Sequence, residues 1–168
     1  RSSPSSPRIY GQKYKSDTTK DWSEDSRVST AVNQINADMA LDSSGNIYYA
    51  WNDDVNGNQD VFLIKRDSSG NDLWSGSKKV DTGANSKDQI IPIIDTDTTD
   101  NCYVSWQDNR ADCGDVYAHK ISPARDLVWG AEIKVNSDSG SYCQINPYLR
   151  IDASNNIYVA WTDDRSGN

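Results

Sequence analysis

Histidine, methionine and phenylalanine each occur once in 168 residues, and no apolar run approaches the length that a membrane-spanning helix needs. A helical span is excluded among these residues. Basic side chains are outnumbered, 17 Lys and Arg against 25 Asp and Glu, which leaves a net charge of −8 and no basic stripe to displace counterions. Nucleic-acid phosphates are therefore not an expected partner. No Ser-His-Asp set, Cys-x-x-Cys knuckle, phosphate-cradling glycine loop or HExxH is present. Hydrophobic residues make up only 35% of the chain, so a core must lean on its six Trp and nine Tyr.

The tryptophans form two interleaved series. Trp51, Trp106 and Trp161 are 55 residues apart, as are Gln34, Gln89 and Gln144, and as are Asp53, Asp108 and Asp163. Trp22, Trp74 and Trp129 follow the same period, except that the first step is three residues shorter. A fixed period of this size signals a solenoid, propeller or array. Each copy holds a segment opening at the Gln, a second segment (NIYYAWND from Asn46, NCYVSWQD from Asn101, NIYVAWTD from Asn156) and a third (DVFLIK from Asp60, DVYAHK from Asp115, RIYGQK from Arg8). The second alternates, with Ile47, Tyr49 and Trp51 on one face and Tyr48, Ala50 and Asn52 on the other, which is strand periodicity. Turn signals separate the segments, Asp42 to Asn46 and Asp67 to Asn71. Val28, Val80 and Val135 mark a short fourth strand.

Four short antiparallel strands per repeat predict an all-β chain, a β-propeller built of four-stranded blades. Residues 1–7 read as a flexible Ser/Pro linker, 8–33 as a half blade holding strands three and four, 34–88 and 89–143 as whole blades, and 144–168 as a half blade holding strands one and two. The ends are complementary halves of one blade. That makes about three blades' worth per chain, short of the roughly four to eight that close a propeller. Completion by a second copy, giving six blades and a homodimer, and completion by further sequence of a longer polypeptide, suggested by a start at Arg1 without Met, both stay open.

Cys102 replaces the Ile47 and Ile157 of the other copies, which makes it a buried free thiol. Cys113, between strands two and three, and Cys143, in the connection between blades, fall on loops of the same face; a Cys113–Cys143 disulfide and an oxidising, extracellular location are expected. No signal peptide is read at the start, as expected of a processed or an excised protein.

The chain resembles a group of secreted bacterial and archaeal propeller repeat proteins whose blades carry Trp-x-Asp-x-Arg-x-Gly-Asn-x-Asp-Ile-Tyr-x-Gln-Lys, followed by Gly and Trp. The pieces stand here as Trp161, Asp163, Arg165, Gly167 and Asn168, and as Ile9, Tyr10, Gln12 and Lys13. Trp106, Asp108, Arg110, Asp115, Val116, Tyr117 and Lys120 form the fullest internal copy; the first copy departs, with Val55 in place of Arg. The resemblance covers nearly all of the chain after Pro7 and implies fold more than activity. Asp67 to Trp74 is similar to the Asp-box of sialidase-like enzymes, but its Asp-to-Gly spacing is one residue too long.

Candidate site residues follow from the repeat. Asp53, Asp108, Arg110, Asp163 and Arg165 follow the strand-two Trp toward one rim, as carbohydrate- or protein-binding groups or as loop ties within the fold. Tyr142 and Tyr148 are aromatic positions that the period does not fix, and they are taken as a ligand-facing patch. Asp54, Asn56, Asn58 and Asp60 alternate as oxygen ligands of calcium do, although Gly57 is not where an EF-hand needs it, and a polar hairpin loop reads equally well. No other cofactor is indicated. His119 stands where Ile64 and Gln12 do and has no catalytic assignment. The expected protein is a noncatalytic recognition module for carbohydrate or protein. The alternatives are an assembly unit linking chains through shared half blades and a fragment of a sialidase-like hydrolase, although glycosidases use two unequal carboxylates and most Asp residues here recur at equivalent positions as turn closers.

Overall fold

The computed structural model describes residues 6–31, 33–83, 86–111, 113–137 and 140–165. Gly167 and Asn168 of the C-terminal motif, and residues 1–5 of the expected linker, lie outside the described residues. Pro7 is tied down, its carbonyl accepting the Gln34 amide at 3.0 Å.

Twelve strands and no helix make up the described chain, in four antiparallel sheets. The first holds β1 (Tyr10–Gly11) and β2 (Ser26–Arg27). The second runs in chain order through β3 (Ile35–Leu41), β4 (Ile47–Asp53), β5 (Asp60–Arg66) and β6 (Lys78–Lys79), and the third likewise through β7 (Gln89–Thr96), β8 (Cys102–Asp108), β9 (Asp115–Ile121) and β10 (Ile133–Lys134). The last is β11 (Gln144–Ile151) paired with β12 (Ile157–Asp163). The four sheets thus hold two, four, four and two strands in chain order.

The fourth strands are shorter than the valine signal suggests. They end one residue before Val28, Val80 and Val135, yet each of these amides still reaches back to the third segment, to the carbonyls of Ile9, Val61 and Val116 at 2.8–2.9 Å.

Both faces of the middle sheets are covered, so their second strands are buried throughout. Tyr48 and Ala50 belong to a core shared with Ile94, Cys102, Val104 and Trp106 of the next sheet, while Ile47, Tyr49 and Trp51 pack with Ile9 and Val28 of the first. Alternating side chains thus hold two neighbours at once. First strands lie side by side, β3 next to β7 and β7 next to β11. Carboxylates join them: Asp38 accepts the Ile94 amide and Asp95 the Ile151 amide, each at 2.9 Å.

A bulge recurs in every first strand, after Ile35, Ile90 and Ile145. Asn36, Ile91 and Asn146 adopt φ of 54°, 56° and 53° at that bulge, a left-handed conformation that Asn tolerates and a β-branched residue does not. Turn aspartates behave alike in all copies. Asp42, Asp67, Asp97 and Asp152 each take the amides two and four residues ahead and the side-chain amide of the following Asn.

Candidate functional site

The repeated rim motif begins where a second strand ends. Trp51, Trp106 and Trp161 point Nε1 at the carboxylate two residues on, Asp53, Asp108 and Asp163, at 3.4, 3.0 and 3.3 Å. The other carboxylate oxygen accepts the amide of residue 55, 110 or 165 at 2.8, 2.9 and 2.9 Å, which closes an Asx turn. From the preceding strand, Gln34, Gln89 and Gln144 add their side-chain amides, each at 3.4 Å. One carboxylate therefore locks strand, turn and neighbouring strand.

Arginine enters at two of the three. Arg110 grips Asp108 with both Nε and Nη2, at 2.8 and 2.6 Å, and its guanidinium stacks 4.3 Å from the Tyr117 ring centre. It also meets Glu132 at 2.8 Å, and Glu132 accepts both the amide and hydroxyl of Thr82 from the preceding sheet. The bond to Asp108 raises the Arg110 pKa; Glu132, which burial pushes up, is held below its ordinary value by bonds from Thr82 and Arg110. Glu132 carries no repeat signal, and sequence reasoning missed it. Arg165 pairs with Asp163 at 2.6 Å and depresses its pKa in a more open setting, the side chains 44% and 18% exposed against 24% and nil for Arg110 and Asp108. Val55, with no such charge, is exposed.

The expected tyrosine patch divides. Tyr142 is half exposed beside the Cys113–Cys143 disulfide, which forms as the loop placement predicted. Tyr148 lies on β11, exposed and stacked by Arg150 at 4.8 Å, on a strand whose equivalents β3 and β7 each have a following sheet beside them.

Oxygens of the proposed calcium loop point at donors. Asp60 takes Asn56 at 2.7 Å, Asn58 at 3.3 Å and Lys79 at 2.8 Å, and Asp54 takes the Asn33 side-chain amide at 3.2 Å. Among the described residues no group of three or more His, Cys, Asp or Glu could hold a metal ion. His119 is fully buried, stacked on Trp129 with ring centres 6.1 Å apart, and burial lowers its pKa. Its strand position, shared with the buried Ile64 of the preceding sheet, is a core position. Cys102 is the buried free thiol expected, its pKa pushed well up by desolvation. No described helix is long and apolar enough to cross a membrane.

A cavity of about 550 Å³ opens between the first two sheets, walled by Tyr10 and Gly11 on one side and by Met39, Leu41, Ile47 and Tyr49 on the other. Tyr10, Met39 and Leu41 are 54%, 50% and 54% exposed, well above the usual level for core aliphatics. At the far end of the chain Tyr158 is 60% exposed, whereas its repeat equivalents Tyr48 and Tyr103 are 0% and 4% exposed.

No protein-family model matches the chain, and no curated protein matches it. The fold and these contacts define it as an all-β protein of four antiparallel sheets with one internal disulfide.

Proposed function

We propose that the chain is a noncatalytic, extracellular β-propeller module whose working surface recognises protein, its sheets acting as blades and its open half blades as the points of assembly. The observation that carries this is the pair of two-stranded end sheets, each holding the strands the other lacks, with apolar side chains exposed where the middle sheets bury theirs. Open ladder edges are pairing templates that folded proteins normally cover. The rim motif supports the same reading from the other side. Its Asp, Trp, Gln and Arg groups are spent on one another, leaving Asp108 no free lone pair for a sugar hydroxyl. The disulfide supports an oxidising compartment.

A second reading has one observation in its favour. The Arg165–Asp163 pair is exposed enough to exchange its partner for a carbohydrate or a peptide carboxylate. A glycan array probed with the intact chain and with Arg165→Ala separates the two, and electron-microscopic class averages test the arrangement of blades about an axis. Blades around an axis with no glycan retained is the expected result. Glycan binding that R165A abolishes would replace assembly by a lectin function, and sheets stacked without a common axis would remove the propeller.

A further inference from the structure

We propose that the occupant of both open ends is a second copy of this chain, β12 of each copy pairing with β1 of the other so that two joints close a ring of six sheets. This rests on the assembly reading above and names its partner.

The register follows from the two joints already made inside the chain. In the middle sheets Trp51 faces Phe62 and Trp106 faces Tyr117, the rings stacked at 6.1 and 6.3 Å. By the repeat, Trp161 then faces Tyr10 of the second copy. Three residues along, Lys65 lies opposite Tyr48 and Lys120 opposite Tyr103, each ammonium 4.8 Å from the ring centre and bonded to a turn carboxylate, Asp42 at 2.8 Å and Asp97 at 3.1 Å. Lys13 is their equivalent, and Tyr158 with Asp152 is the half site that waits for it, the Tyr158 hydroxyl already on Asp152 at 3.0 Å. Lys13 is meanwhile held by a surface ion pair to Asp21 at 2.8 Å, of the kind that contributes little and exchanges readily.

Shape agrees with register. Tyr48 inserts among Ile94, Cys102 and Val104 of the next sheet, and its hydroxyl donates to the Asp100 carbonyl at 2.9 Å. The matching positions one repeat earlier are Met39, Ile47, Tyr49 and Gly45, all of which line the cavity. Tyr158 of a second copy fills that cavity as Tyr48 fills its own site. Gly11 fits here too, since a Cβ on it would collide with the Tyr49 hydroxyl.

Charge selects between copies. Inside the chain the strand-three residue opposite the rim aspartate is itself acidic, Asp60 facing Asp53 and Asp115 facing Asp108. At the joint between copies the same place holds Arg8, so Asp163 meets a guanidinium instead of a carboxylate. The contact is head to tail, and a two-fold axis turns it into a closed ring in which the β12 and β1 edges are both paired.

Two variants test this, one at the exposed Tyr158 and one at the half-buried Lys13, each disabling one end. Tyr158→Asp disables the β12 end and Lys13→Glu the β1 end. Light scattering on size-exclusion fractions of the intact chain should give twice 18.7 kDa, and each variant alone should fall to 18.7 kDa. Mixing the two should restore a 1:1 pair, because the Lys13 end of one meets the Tyr158 end of the other; far-ultraviolet circular dichroism checks that both variants stay folded. An unmixed variant that keeps the doubled mass, or folded variants that do not recombine, overturns head-to-tail pairing. Wild-type chain at 18.7 kDa whose class averages still show blades about an axis overturns the second copy while leaving the propeller module standing.

Discussion

Asp81 accepts the Val61 amide at 2.8 Å, and one repeat later Asn136 accepts the Val116 amide at the same distance. The two residues hold the fourth segment to the third in successive sheets, one with a charge and one without. Asn136 also donates, to Asp115 at 2.8 Å and to Gln144 at 3.0 Å. Asp81 cannot donate while ionised, although Lys79 approaches it at 3.2 Å, and burial pushes its pKa up to about 6. A carboxyl whose pKa is higher folded than unfolded favours the folded state fully only below the unfolded value and costs stability once pH passes the folded one. Asp81→Asn should therefore add about 1 kcal/mol at pH 7 and nothing near pH 3. Urea midpoints at the two pH values decide it, and equal gains at both would show that Asp81 is already neutral.

Ile91 offers a backbone test. It occupies the left-handed bulge position at φ 56° that Asn36 and Asn146 fill elsewhere. Ile91→Asn should stabilise the protein by about 1 kcal/mol, seen as a higher thermal midpoint. A lower midpoint would mean that the half-buried isoleucine side chain contributes more packing than its backbone costs.

The rim motif is a stability element if Asp108 is as heavily used as its contacts suggest. Asp108→Ala strands Arg110 and the Trp106 indole N–H, and a loss of about 3 kcal/mol is expected in chemical denaturation. Arg110→Val copies the Val55 of the first repeat and should cost less, since Asp108 keeps its amide and indole donors. Unchanged stability in D108A would return the motif to ligand binding.

Sulfur chemistry separates the three cysteines. Replacing Cys113 and Cys143 together by Ser frees a loop of 30 residues and should lower stability by about 3 kcal/mol in urea. Cys102, fully buried with a raised pKa, should resist a thiol reagent in the native protein and react only on unfolding. Rapid native labelling would show that the space between the middle sheets opens.

Strand order and turn closure were legible because each depends on residues close along the chain or repeated at a fixed spacing, and the disulfide because the repeat puts both cysteines on loops of one face. Asp42 and its equivalents close turns with neighbours two and four residues away, so one copy of the sequence suffices to read them. Glu132 was not legible. Its partners, Arg110 and Thr82, come from another strand connection and another sheet, and nothing at 55-residue spacing marks it. The burial of His119 was hidden for a related reason: its aligned neighbours Ile64 and Gln12 differ in polarity, and only the stacking of Trp129 shows that the site is closed.

The amino-acid order alone determined that this chain is a repeat of short antiparallel strands joined by aspartate-closed turns, because period, alternation and turn chemistry are local properties. Tertiary structure decided which repeated side chains are spent and which are left open. Asp108 and Tyr48 are buried among partners of the neighbouring strands and sheet, while Tyr158 and Met39, at equivalent kinds of position, stay exposed. The physical reason is that a sheet buries its faces only against another sheet, and which faces are covered depends on how the sheets pack and not on residues close along the chain.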